Sequence, residues 1–478
     1  MAKDKKAEKA TKETVSVWKR DTGWEKLSND EKKQMASYNE DYVEFLSHAK
    51  TERLAHDIAL KLAKKAGYKN IEDCKTLKAG DKVYRSCGGK TLFLAHIGKE
   101  SLEKGLALVG AHIDSPRLDA KPSPLCQQDG LAYFDTHYYG GIKKYQWLTI
   151  PLAIYGVAYK RDGSRVDIAI GDKPEDPVFT ITDLLPHLDR NQPNTTVDKA
   201  FNGEALNVIV GSIPATDKND KDVKDRVKLG ILRQLKKMYG IEEEDFFSAE
   251  IEIVPAGNAR YVGFDKSMIL GYGHDDRVCA YATVRSILDA KTTPSRTRVA
   301  VICDKEEIGS YGKSGMDSTF MENSVAELAA RMKGGYNGLT VRRALENSTM
   351  LSADVSALHD PDFPEVSSPN NMPKLNCGIV LSKYTGARGK AGSSDASAEC
   401  ISNIRGIFNK AGVLWQAGEL GKVDVGGGGT IALYLARYGM DVVDCGVGLF
   451  SMHAPLETAG VIDVYMAYKA YKAFYEAY

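Results

Sequence analysis

From Gly105 to Ile113 the chain is almost wholly apolar, and it then breaks into the polar cluster His112, Asp114 and Ser115. A strand that is apolar on both faces belongs inside a sheet covered by helices on both sides, and a polar end on such a strand marks a site. The same alternation recurs beyond Gly263: helix Arg277 to Ala290, strand Arg298 to Cys303, strand Met350 to Ala353, helix Thr430 to Tyr438, strand Asp441 to Cys445 and a final helix from Ala459. Upstream, helical spacing runs from Asp30 (Met35, Tyr38, Tyr42, Phe45, Leu46), a second helix runs from Glu52 to Gly67, and Lys90 to Ile97 reads as a strand. This is the α/β pattern, in which ligands collect at the carboxyl ends of strands.

Between about Asp119 and Gly263 the pattern turns β-rich. Leu148 to Lys160 and Arg165 to Ile170 flank an Asp162-Gly163 turn, helix Asp222 to Tyr239 stops at Gly240, and the alternating strand Ala249 to Val254 closes the stretch. The expected organisation is one α/β domain, residues 1–118 plus 264–478, interrupted by a β-rich segment, 119–263. Its 64 basic and 64 acidic residues leave no net field to draw nucleic acid. Met1 to Arg20 is rich in Lys but broken by Asp4, Glu8 and Glu13, and reads as a solvated or helical tail. It lacks the apolar run of a signal peptide, and no stretch has the uninterrupted apolar length of a membrane span, so a cytoplasmic protein is expected. The eight cysteines are scattered, with no C-x-x-C pair, and read mostly as buried thiols.

Five clusters of carboxylate or imidazole groups carry the chemistry: Ala-His112-Ile-Asp114-Ser-Pro, Gly-His274-Asp275-Asp276-Arg, Asp304-Lys-Glu306-Glu307-Ile-Gly, Ser-Ala-Asp354 and Ser-Met-His453-Ala. Four of them directly follow an apolar strand. Hydrolysis of a peptide bond at neutral pH is within reach of two zinc ions roughly 3.5–4 Å apart, which need a bridging carboxylate and terminal His or carboxylate ligands. Each cluster also has a plainer reading. Asp275 and Asp276 suit a helix N-cap, Glu306-Glu307 suits a solvated acidic pair, and a lone strand-end histidine is more often structural.

In this order, HxDSP, HDD in place of the usual LDN, DxEE[IV]GS, SAD and the C-terminal MH resemble the motifs of the aspartyl aminopeptidase family over nearly the whole chain, the β-rich segment included. The resemblance implies a zinc-peptidase domain with a central mixed sheet flanked by helices, interrupted by a β-rich lid that also builds a dimer, with dimers assembling into a tetrahedral dodecamer. It implies two Zn2+ per subunit, bridged by Asp275, one site completed by His112 and Asp354 and the other by Glu307 and His453. Glu306 becomes the general base. Co2+ and Mn2+ suit the same ligands. Side-chain alternation at a strand end sends Glu306 and Glu307 to different sides, and Asp114 is placed to accept the second N–H of His112.

The resemblance also implies a lid histidine, His187, that reaches a neighbouring subunit's active site, and it puts Lys383, in the basic stretch Leu381 to Lys390, near an acidic substrate side chain. His359 lies near a family histidine, and a local hydrogen bond is its expected role. The extra acid Asp276 departs from the family pattern. The implied activity is removal of N-terminal residues from peptides, with Asp or Glu favoured. A two-zinc carboxypeptidase or amide deacylase uses the same ligands, and a catalytically idle shell protein keeps the same fold. Gly426 to Gly429 before Thr430 lacks the Lys-Ser/Thr of a P-loop and reads as a sharp strand-to-helix turn. No Gly-x-Ser-x-Gly elbow is present, which argues against a serine hydrolase.

Overall fold

The computed structural model describes Trp18 and residues 20–217 and 222–478, so the Lys-rich start lies outside the described residues apart from Trp18 and Arg20. Nine strands make one mixed sheet, in the order Lys69–Asn70, Lys82–Cys87, Thr91–His96, Arg298–Cys303, Ala107–His112, Thr349–Ser352, Asp441–Gly446, Ile379–Ser382 and Trp415–Ala417. The four strands from Arg298–Cys303 to Asp441–Gly446 run parallel, and antiparallel neighbours flank them on both sides.

Both faces of the sheet are covered, as the continuous apolar strands require. Ala107, Val109 and Ala111 pack into a core shared with helices Asn29–His48, Glu52–Lys65, His274–Asp289 and Val461–Ala477. Leu108, with Val299 and Val301 of the neighbouring strand, packs against helices Phe320–Arg331 and Gly338–Glu346 on the other side. Alternate residues therefore serve opposite layers, which is the period-2 geometry of a strand. Local chemistry sets the helix ends: Ser28 and Glu31 form a capping box, Thr51 accepts the N–H of Leu54, and Gly240 closes helix Arg226–Tyr239 in the left-handed conformation.

A second, six-stranded antiparallel sheet is built wholly from residues between Arg117 and Pro255, in the order Arg165–Ile170, Leu152–Tyr159, Ala249–Pro255, Arg117–Gln128, Leu131–Tyr139 and Val208–Gly211. The hairpin expected around Asp162-Gly163 is present, with Tyr159 opposite Arg165. A five-stranded sheet joins Arg260–Val262, Met268–Gly271, Glu457–Gly460, Gly448–Phe450 and Ser356–Ala357.

Two expectations are corrected. The last helix begins at Val461, because Glu457–Gly460 is a strand paired with Met268–Gly271. Gly426 to Gly429 is not a simple strand-to-helix turn: Gly427–Gly428 pairs with Gly386–Ala387, and the following helix is the short Ala432–Ala436. Close approach explains two of these glycines, since a Cβ on Gly426 would stand 1.8 Å from the Leu420 carbonyl oxygen and one on Gly427 would stand 2.7 Å from Ala387 Cα. All eight cysteines are free thiols. Among the described residues, no helix is long and apolar enough to cross a membrane.

Candidate metal centre

The carboxyl ends of the parallel strands converge on one cluster. His112 ends its strand, Asp354 follows Thr349–Ser352, and Glu306 and Glu307 follow Arg298–Cys303. Asp275 sits in the first turn of helix His274–Asp289, where Asp275 and Asp276 are non-helical and joined by a cis peptide bond. His453 comes from the loop between Gly448–Phe450 and Glu457–Gly460.

Asp275 lies between the two imidazoles. Its Oδ1 is 3.1 Å from His112 Nε2 and its Oδ2 is 3.2 Å from His453 Nε2. His112 Nε2 also faces Asp354 at 3.8 Å, and His453 Nε2 faces Glu307 at 3.4 Å. The five sequence-derived ligand candidates are thus brought together as two half-sites sharing Asp275. Ligand atoms of His112, Asp275 and Glu307 lie within 4.8 Å of one another, as do those of His112, Glu306 and Asp354. Asp275 Oδ1 and Glu307 Oε1 are buried without a hydrogen-bond partner. Buried carboxylate oxygens that make no hydrogen bond and face imidazole nitrogens are a donor set that fits divalent cations.

Electrostatics points the same way. Burial pushes the Glu306 carboxyl up to about 8, helped by Asp354, Asp114 and Asp275. Burial and Asp275 raise Glu307 as well, and burial raises Asp354. Burial disfavours the charged ring of His453, yet Asp275 and Glu307 outweigh it and lift the group to about 10. So many acids held together call for positive charge at their centre, and bound cations invert these shifts.

The adjacent glutamates are separated by a different device from the one expected. Glu306–Ile308 is a 3-10 turn entered through Lys305 in the left-handed conformation, not a strand end, and the turn sends Glu306 toward His112 and Glu307 toward His453. Asp114 does more than accept from His112. Its Oδ1 lies 3.2 Å from His112 Nδ1 and accepts the Glu306 N–H, while its Oδ2 accepts the Glu307 N–H and the Tyr139 hydroxyl.

Asp276, the acid that departs from the family pattern, accepts the backbone N–H of His112 at 3.3 Å, and neither its carboxylate nor that of Asp275 makes a capping hydrogen bond to the regular helix that starts at Arg277. His274 bonds Tyr42 and the Ile269 carbonyl, and burial holds it down to about 3, so it is a structural histidine. His359 bonds Ser367, the local contact expected of it.

A cavity of about 450 Å³ opens on the cluster, with Glu306, Asp354, Tyr384, Thr430 and Leu433 in its walls. Another of about 680 Å³, walled by Ile142, Leu358, Phe363 and Phe450, meets it at Met452 and His453. Lys383 is exposed, between the wall residues Ser382 and Tyr384. His187 is exposed and is not brought to the cluster of its own chain. Tyr139, Gly141 and Glu457, which touch the cluster from outside, were not singled out in the sequence. Tyr and Gly at a strand end carry no metal signature, and Glu457 opens a short strand four residues after His453, where no periodicity flags it.

The family model described as "Aminopeptidase I zinc metalloprotease (M18)" matches residues 45–475. A probable M18 family aminopeptidase 1 of Clostridium acetobutylicum is 49% identical over 455 residues, covering 94% of this chain and 97% of that protein. The crystal structure of an M18 aminopeptidase from Thermotoga maritima superposes with a TM-score of 0.91 at 43% identity, covering 96% of this chain and 100% of that one. The mApe1 dodecamer of S. cerevisiae shares the fold, with a TM-score of 0.74 at 22% identity over 91% of this chain and 95% of that one.

Proposed function

The chain belongs to the M18 family of zinc metallo-aminopeptidases, and from that premise we propose that it releases N-terminal residues from peptides at a two-zinc centre with Glu306 as general base. The observation that carries the two-metal reading is the position of Asp275, one oxygen facing His112 and the other facing His453. In this reading His112 and Asp354 hold one ion, and Glu307 and His453 hold the other. Zinc bound there supplies Lewis acidity, which polarises a peptide carbonyl and acidifies water.

The remaining steps fall to the chain's own groups. Glu306 ligates neither ion. Its carboxylate takes the proton of the attacking water and returns it to the departing amine. Asp114 orients His112 and, by accepting two successive backbone N–H groups, fixes the turn that carries Glu306. The two cavities that meet at His453 give room for a peptide to lie across the cluster.

A preference for acidic first residues rests on Lys383 at the rim, with Arg388 and Lys390 on the same exposed loop. The β-rich residues 119–263 form the lid and dimer-building segment of a protein that works in the cytoplasm as a dodecamer. His187, exposed among the exposed Leu184, Leu185 and Leu188, reaches a neighbouring subunit's site. Hydrolysis of acidic and neutral aminoacyl substrates, with chelator and then with zinc, cobalt or manganese restored, tests the reading. Chelator-sensitive release of a free first residue, abolished by N-acetylation of the peptide, supports it. Cleavage of N-acetylated substrates alone would favour an amide deacylase.

A further inference from the structure

We infer that the segment Tyr139-Gly140-Gly141, where strand Leu131–Tyr139 of the six-stranded sheet ends, positions both halves of the metal centre at once. The inference rests on the two-zinc reading and extends it to residues outside the ligand set. Each of the three residues makes a separate contact. The Tyr139 hydroxyl donates to Asp114 Oδ2 at 2.8 Å, and Asp114 is the carboxylate that faces His112 Nδ1. Gly140, at φ +72°, passes so close to Glu307 that a Cβ would stand 3.3 Å from both its Cβ and its Oε2. The Gly141 carbonyl accepts the Nδ1–H of His453 at 2.8 Å, which leaves Nε2 facing Asp275 and Glu307.

The Tyr139 end of the segment is itself anchored. The Arg117 guanidinium lies 3.9 Å from the centre of the Tyr139 ring. Arg117 is buried and paired with Asp119 at 2.7 Å, Glu252 at 3.3 Å and Glu52 at 3.4 Å. Glu52 belongs to helix Glu52–Lys65, on the large sheet's side of the molecule, and Glu252 to the six-stranded sheet, so the network ties the two together at this point. Outer contacts of this kind fix the tautomer and angle of a ligating imidazole, and metal affinity depends on both. Tyr139, Gly140 and Gly141 are therefore positioning residues, acting through Asp114, Glu307 and His453.

The test is zinc binding by the full-length protein in competition with a chelator, together with the visible spectrum of the Co2+-loaded form and separate kcat and KM values. Tyr139→Phe keeps the ring and its contact with Arg117 but removes the donor. It is expected to weaken one of the two zinc ions about 10- to 100-fold, to change the Co2+ spectrum, and to lower kcat with KM unchanged. Gly140→Ala is expected to weaken the other ion. Tyr138→Phe, on the exposed neighbour, serves as the control and binds both ions as the parent does. Parental zinc affinities and a parental Co2+ spectrum in Tyr139→Phe would overturn the inference while leaving the two-zinc reading intact. A parent protein that binds fewer than two zinc ions would overturn the two-zinc reading and this inference with it.

Discussion

The backbone N–H of Asp275 donates to Glu457 Oε2 at 3.0 Å, and the other oxygen of Glu457 accepts the backbone N–H of His453 at 2.7 Å. One buried carboxylate thus ties Asp275 to His453, 178 positions away in the sequence. Glu457→Gln replaces one acceptor with a donor and sets it against an N–H. Such an unmade buried bond costs about 1–3 kcal/mol. The expected result is a lower melting temperature and weaker zinc retention on the His453 side, read by differential scanning calorimetry and chelator competition. An unchanged melting curve and unchanged zinc affinity would contradict this.

His96, buried in strand Thr91–His96, is held down to about 4 by burial and by the nearby charges of Lys82 and Arg298. A histidine with a depressed folded pKa favours the native state while it is neutral in both states, above about pH 6.5. That contribution is lost as pH falls from about 6.5 toward 4, and the full loss is about 3 kcal/mol. His96→Gln removes the titration, so the variant should lose less stability than the parent between these pH values. The groups of the candidate metal centre titrate in both chains, and the difference between the two melting profiles isolates His96. Parallel profiles would contradict the prediction.

Lys383 carries the proposed acidic preference. Lys383→Ala should raise KM for N-terminal Asp and Glu substrates about tenfold, equivalent to about 1.4 kcal/mol of lost ion pairing, and leave neutral substrates unchanged. An equal effect on both classes would remove Lys383 from substrate recognition.

If His187 serves a neighbouring subunit, two inactive chains should repair each other. His187→Ala and Glu306→Gln protomers, mixed under conditions that allow subunit exchange, form some sites in which the His187→Ala chain supplies Glu306 and its partner supplies the histidine. Activity recovered in the mixture and absent from either variant alone is the expected outcome. No recovery despite exchange would confine His187 to another role.

Much of the site was legible in the sequence because strand ends are. His112, Glu306, Glu307 and Asp354 follow apolar runs that can only be interior strands, and the topology then brings those ends together. Asp275 and His453 came from the motif order, since neither follows a parallel strand of the large sheet. The supporting contacts were not legible. Tyr139 and Gly141 each make one hydrogen bond to a residue distant in sequence, Glu457 accepts from distant Asp275 as well as from His453, and no local pattern encodes such bonds. The glutamate pair faces two different imidazoles, but by another device than strand alternation, because the left-handed Lys305 turns the chain before the strand can continue. The glycine run was misread for a related reason, since Gly426 admits the Leu420 carbonyl and Gly427 lies against Ala387, contacts visible only after folding.

The most direct test of the account is the turnover of Glu306→Gln, with zinc content and particle size measured on the same sample. With Glu306 as the general base, zinc content and assembly stay at parental values and kcat falls at least about a hundredfold. Near-parental kcat with both zinc ions in place would contradict it.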